Sequence, residues 1–118
     1  DDELSGKGSD DVINGASGND VLRGNAGDDT LNGGSGDDTI NGGNGDDIMK
    51  GKKGDDVFRI SKGDDQIRDY DSDKDSIRIS PAMANIMIHS HKGGSLITNG
   101  DDINTWLPNV NPTELDFL

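Results

Sequence analysis

Residues 33–50 read GGSGDDTIN followed at once by GGNGDDIMK. Two nine-residue units lie head to tail and share one pattern: two glycines, a variable residue, a third glycine, a carboxylate pair and a short β-prone segment. Extending the frame upstream gives 6–14 GKGSDDVIN, 15–23 GASGNDVLR and 24–32 GNAGDDTLN. Downstream it gives 51–59 GKKGDDVFR and 60–68 ISKGDDQIR. Position six is always aspartate, as Asp11, Asp20, Asp29, Asp38, Asp47, Asp56 and Asp65. Position eight is always apolar, as Ile13, Leu22, Leu31, Ile40, Met49, Phe58 and Ile67. Carried backwards, the frame puts Asp2 at position six and Leu4 at position eight, so a fragment of a longer repeat array is expected.

Composition alone argues against folding. Leu, Ile, Val and Phe number 24 of 118 residues, which borders on the composition of disordered chains. The net charge of −13 makes a compact form repel itself, and 18 glycines add backbone entropy that folding must overcome. The regular repeat reverses that expectation, because a bound cation can supply the missing free energy. With no cysteine there is no disulfide and no thiolate metal site. No apolar run approaches the roughly 20 residues of a membrane span, and no signal peptide opens the chain. The acidic balance argues against nucleic acid and anionic membrane as partners and favours cations.

Nine is odd, so a period-two alternation cannot run through whole repeats without a break. The glycine-rich half must turn the chain, and the last three residues form a short strand with one side chain inward. Two such half-turns close an 18-residue coil, and successive coils stack as parallel strands in a β-solenoid. Residues 18 apart, such as Asp20 and Asp38, then lie about 4.7–4.9 Å apart on neighbouring coils. Two calcium–oxygen bonds of about 2.4 Å span nearly that gap. Without metal, such a pair would repel by roughly 3–4 kcal/mol at an effective dielectric near 20. The glycines let turn carbonyls point inward and complete an oxygen shell of about six to eight ligands.

The seven in-frame copies closely resemble the RTX family of hemolysin-type calcium-binding repeats of secreted bacterial proteins. The resemblance implies an all-β fold, a parallel β-roll (β-solenoid) of nonapeptide repeats with a C-terminal β-strand cap. It implies that the first six positions form the calcium turn, with Gly18, Gly27, Gly33, Gly36, Gly42, Gly45 and Gly54 among the site residues. Calcium would sit between Asp11 and Asp29, Asp29 and Asp47, and Asp47 and Asp65 on one edge. Asp20 with Asp38 and Asp38 with Asp56 serve the other, making about five Ca2+ sites, and Asp2 with Asp20 adds a sixth. Two units of organisation are expected: the repeats at 1–68, and a cap at 69–118 that carries part of the type I secretion signal. Ser9, Ala16, Asn25 and Lys52 depart from the glycine pattern, and unit 60–68 lacks both leading glycines. The central sites are therefore expected to be the best formed, and Val57 to Ile60 to run on as a longer strand.

From Gln66 the pattern changes. QIRDY (66–70) and DSIRIS (75–80) alternate apolar and polar residues, which predicts longer strands. Between them Asp69, Asp71, Asp73 and Asp75 alternate along a turn, a candidate further calcium loop. NIMIHSH (85–91) and SLITN (95–99) predict a hairpin through Lys92-Gly93-Gly94, with INTWL (103–107) as a further strand. Trp106, Leu107, Val110, Leu115 and Phe117 are its candidate core.

Other chemistry is weaker. His89 and His91 share a strand face but lack a third metal ligand, and they read as exposed polar residues. Nothing marks a nucleophile elbow, and the regular carboxylates argue for structure over a catalytic centre, so this chain is not expected to be an enzyme. Lys50, Lys52 and Lys53 read as a solvated edge. The expected function is calcium binding that folds a monomeric, secreted or cell-surface protein after export by type I secretion machinery. The alternative is a module that binds an acidic, alginate-like polysaccharide or a cell surface.

Overall fold

The computed structural model of the protein describes residues 1–78, 87–91, 94–98 and 103–108. The repeats give β1 (Glu3–Gly8), β2 (Val12–Asn14), β3 (Val21–Ala26), β4 (Thr30–Ser35), β5 (Thr39–Asn44), β6 (Ile48–Lys53), β7 (Val57–Arg59) and β8 (Gly63–Ile67). Then follow β9 (Ser76–Arg78), β10 (Met87–His91), β11 (Gly94–Thr98) and β12 (Ile103–Pro108). Odd strands build one parallel sheet, β1-β3-β5-β7-β9, and even strands build the other, β12-β8-β6-β4-β2. Alternate units therefore fall on opposite walls. The pairing register is 18 residues, as in Val21↔Thr39, Leu22↔Ile40 and Leu31↔Met49, which is the coil length that the repeat predicts. The chain is a parallel β-solenoid.

The core is a file of position-eight side chains. Leu22, Leu31, Ile40, Met49, Phe58, Ile67 and Ile77 are fully buried, Ile13 nearly so, and Leu4 packs against them. Burial alternates through positions seven, eight, nine and one of units such as 39–42, so position one faces inward beside position eight. This corrects the expectation of three-residue strands. The ladder resumes at positions two and three, in Asn25↔Gly43 and Ala26↔Asn44, so the turn proper is confined to positions four to six.

Two further corrections concern the end of the array. The longer strand expected over 57–60 is not formed, because β7 has three residues; of the segment 75–80, residues 76–78 form β9 and residues 79–80 lie outside the described residues. Moreover, β9 pairs with β7 at a 19-residue offset, Phe58↔Ile77. Residues 69–78 are thus an eighth repeat of ten residues, with Asp75, Ile77 and Arg78 at positions six, eight and nine. The extra residue is absorbed in a tight turn, where the amides of Lys74 and Asp75 both donate to the Asp71 carbonyl at 3.1 and 2.7 Å.

The predicted hairpin is formed by β10 and β11, with β12 antiparallel to β11 and parallel to β8. Ile97 and Leu107 join the core, so this meander covers the edge of the even-strand sheet beyond β8. Val110, Leu115 and Phe117 lie outside the described residues, as does the Trp106 side chain. Among the described residues there is no helix long and apolar enough to cross a membrane.

The departures from glycine keep the repeat's backbone at a cost. Lys7, Ser9, Ala16, Asn25 and Lys52 all hold left-handed φ values, between 72° and 80°. A Cβ in that region is strained by roughly 1–2 kcal/mol, partly offset by the larger entropy that a glycine loses on folding. Ala16→Gly is therefore expected to stabilise the folded chain by about 0.5–1 kcal/mol, measured by denaturant titration in calcium.

Candidate metal centre

From Asp11 to Asp56, each position-six aspartate enters from the turn and folds its carboxylate over the glycine at position one of its own unit. A Cβ on Gly15 would stand 2.7 Å from Asp20 Oδ2 and 2.6 Å from the Gly33 carbonyl oxygen. Glycine is required there because the inward slot is taken by the carboxylate, whatever its φ. Gly33 and Gly42 hold the same relation to Asp38 and Asp47. At position four, Gly18, Gly27, Gly36, Gly45 and Gly54 have φ between 114° and 130°, which lets the chain turn directly above the coil below.

The carboxylates form two columns. On one edge Asp2 N donates to Asp20 Oδ1 at 2.6 Å, Asp20 N to Asp38 Oδ1 at 2.8 Å and Asp38 N to Asp56 Oδ1 at 2.9 Å. On the other, Asp11 N donates to Asp29 Oδ1 and Asp29 N to Asp47 Oδ1, both at 2.8 Å, and Asp47 N to Asp65 Oδ1 at 3.1 Å. The structure thus stacks every aspartate pair predicted from the 18-residue spacing. Asp20, Asp29, Asp38, Asp47, Asp56 and Asp65 are each 1% exposed.

In Asp20, Asp29, Asp38, Asp47 and Asp56 the Oδ1 atom is accounted for by an amide one coil earlier; the other oxygen is not. The Oδ2 atoms of Asp11, Asp20, Asp29, Asp38, Asp47 and Asp56 are buried without a hydrogen-bond partner. A buried acceptor left unpaired costs roughly 1–3 kcal/mol, and more when charged. Six of them cost on the order of 10 kcal/mol, as much as the whole net stability of a small domain. A cation removes that cost. Unpaired carboxylate oxygens next to a glycine carbonyl are a hard, all-oxygen donor set, which fits calcium. Among the described residues no three His, Asp or Glu side chains converge on one point, so any such site must be completed by backbone carbonyls.

The loop proposed at Asp69, Asp71, Asp73 and Asp75 is not gathered around one centre. Asp69 accepts from the amides of Gly51 and Lys52, each at 2.9 Å, and Asp71 accepts from the Asp73 amide at 3.0 Å and pairs with Lys74. Asp75 instead continues the first column, 4% exposed, accepting from Asp56 N at 3.0 Å. The nine-residue frame misses it by one residue.

The sequence reading also missed the work of position five, which is Asp or Asn in all seven nine-residue units. Asp10, Asn19, Asp28, Asp37 and Asp46 accept from the amides of Asp28, Asp37, Asp46, Asp55 and Asp64, one coil later. Position-six carboxylates accept from one coil earlier. The two ladders run in opposite directions along the axis and clip each turn to both neighbours. Lys52 and Lys53 are exposed beside Asp69, as a solvated edge should be, while Lys50 is half-buried. His89 and His91 lie on β10, the edge strand of its sheet, and their side chains lie outside the described residues.

Burial raises the carboxyls of Asp38, Asp47, Asp56, Asp65 and Asp75 above 3.8, to about 6 at Asp56 and about 7 at Asp65. Hydrogen bonds from the column pull the other way, and neighbouring carboxylates add to the rise. A folded-state value above the unfolded one means that the folded chain binds more protons between the two, so its stability falls as pH rises through that window. In chelator, β-sheet circular dichroism is expected to weaken as pH is raised from about 4 to about 7.5.

Comparison with known proteins places this geometry. A family model described as the RTX calcium-binding nonapeptide repeat, in four copies, matches residues 1–31 and 23–58. No curated protein matches at a significant level. The solution structure of the AlgE6R2 subunit from the Azotobacter vinelandii mannuronan C5-epimerase aligns with a TM-score of 0.74 at 21% identity. That alignment covers 98% of this chain and 90% of that one, and the likeness is one of fold. The AlgE6R3 subunit of the same enzyme aligns with a TM-score of 0.38 at 19% identity, over 100% and 78%.

Proposed function

Because residues 1–58, most of the repeat array of this chain, belong to the RTX calcium-binding nonapeptide repeat family, we propose that the chain is a calcium-responsive folding module of a secreted bacterial protein. The observation that carries this is the set of six buried, unpartnered Oδ2 atoms. In a calcium-poor cytosol their cost keeps the repeats unfolded, which suits passage through a type I secretion channel. Outside, calcium at roughly millimolar levels fills the sites. Binding free energy then acts as folding free energy, about 2.7 kcal/mol per site at a hundredfold excess over Kd. A few sites reach the range of ordinary domain stability. Any catalysis by a parent protein would lie elsewhere; these turns bind and fold.

Circular dichroism in chelator and in millimolar calcium tests this directly. The β signal is expected only with calcium, and magnesium at the same concentration should not restore it, because it demands a tighter octahedral shell. Identical spectra in chelator and calcium would sink the proposal.

A second reading, binding of an acidic polysaccharide or a surface that displays one, draws on position nine. All four arginines of this acidic chain, Arg23, Arg59, Arg68 and Arg78, stand there. In the odd-strand sheet Arg23, Asn41, Arg59 and Arg78 are consecutive rungs, about 4.8 Å apart. Arg59 and Arg78 have no ion pair among the described residues, and with Asn41 and Lys62 they line a groove of about 310 Å³. Bound calcium would also offset the net charge of −13 that repels an anionic polymer. Calorimetry with anionic uronate oligomers in calcium is expected to show binding that Arg59→Glu with Arg78→Glu weakens at least tenfold. No heat at millimolar oligomer would remove this reading.

A further inference from the structure

The last turn of each carboxylate column is built differently from the others. In the turns that carry an unpartnered Oδ2, position one is glycine and the carboxylate occupies the inward slot. In unit 60–68 position one is Ile60, which is 4% exposed and part of the apolar core, so hydrocarbon fills that slot. Position two is Ser61. Its hydroxyl donates to Asp65 Oδ2 at 3.1 Å and accepts from the Gly43 amide at 3.3 Å. Asp65 Oδ1 already accepts from Asp47 N. Both oxygens of this buried carboxylate are therefore satisfied by the protein.

The ten-residue unit reaches the same end by another route. Asp75 Oδ1 accepts from Asp56 N at 3.0 Å and Oδ2 from Asp71 N at 2.8 Å. The donor of the second bond comes from the turn that absorbs the extra residue. Tyr70 fixes that turn, its hydroxyl donating to the Asp75 carbonyl at 3.0 Å. Asp65 and Asp75 are thus two buried column members outside the unpartnered set.

We propose that turns 60–65 and 69–75 are metal-free closures, in which the Ser61 hydroxyl and the Asp71 amide do what a cation does in the other turns. On this view calcium sits only where both carboxylates of a pair keep an unpartnered oxygen. Those pairs are Asp11–Asp29, Asp29–Asp47, Asp20–Asp38 and Asp38–Asp56. The steps Asp47–Asp65 and Asp56–Asp75 take no ion, although the 18-residue spacing would count the first and the stacking of the column the second. A metal entering there would compete with the bonds from Ser61 and Asp71 for oxygens that already have a partner, so it would relieve little of the cost that it removes in the other turns.

The inference rests on the calcium reading, and counting bound ions separates the two. Calcium per chain at saturation is measured by equilibrium dialysis and elemental analysis on the whole chain and on isosteric variants. Asp65→Asn and Asp75→Asn are expected to keep the wild-type count, whereas Asp38→Asn loses two ions. Loss of one ion in either end variant overturns the proposal. Should those variants fail to fold, Asp47→Asn decides: it loses one ion if its step to Asp65 is metal-free, and two if that step holds calcium. A wild-type chain that binds no calcium at all would instead strike the calcium reading itself.

Discussion

The structure depends on a charge that the protein itself leaves unanswered. Each position-six aspartate is drawn inside because its backbone and its Oδ1 are needed to join one coil to the next. From Asp11 to Asp56 the same burial strands Oδ2 away from water and from any donor. An ordinary protein would avoid that arrangement, since a buried anion without a partner is among the most destabilising features a fold can carry. Here it recurs with every coil, which turns a defect into a requirement for a cation. On the function proposed above, stability is conditional on the cations in the surrounding solution.

That requirement also explains the glycines. Turns need positive φ at position four, and the strand's own alternation points position one inward, where the carboxylate already sits. Sterics at one position and torsion at the other therefore select the same residue for different reasons. The tolerated exceptions follow from this division. Ala16 and Lys52 replace glycine at position two, where strain can be borne, whereas Ile60 at position one comes with a carboxylate that has found another partner.

Much of this was legible in the sequence. The 18-residue register, the two carboxylate columns and the single-file core of Leu22, Leu31, Ile40 and Met49 all follow from period and chemistry. Two things were not. Asp69, Asp71, Asp73 and Asp75 alternate in a way that fits a cation loop as well as a repeat stretched by one residue, and only the Phe58↔Ile77 pairing separates those readings. Position five was equally invisible, because Asp28 and Asp29 look like one acidic pair. Their carboxylates accept from opposite neighbours, Asp28 from Asp46 N and Asp29 from Asp11 N, and direction along an axis leaves no mark on composition.

The two ladders also bear on how the ends differ. Position-five bonds need no metal and lie at the surface, so they can form as soon as two coils meet. Position-six bonds bury a charge when they form, so they gain only when the charge is met. At the C-terminal end it is met by Ser61 and by the Asp71 amide, and β12 adds a strand of ordinary antiparallel meander to β8. Toward β1 every interior column step leaves an oxygen unpartnered. The array is thus polar in its bonding as well as its sequence: one end resembles a conventional domain, and on the proposed function the remainder extends from it only as far as cations are supplied.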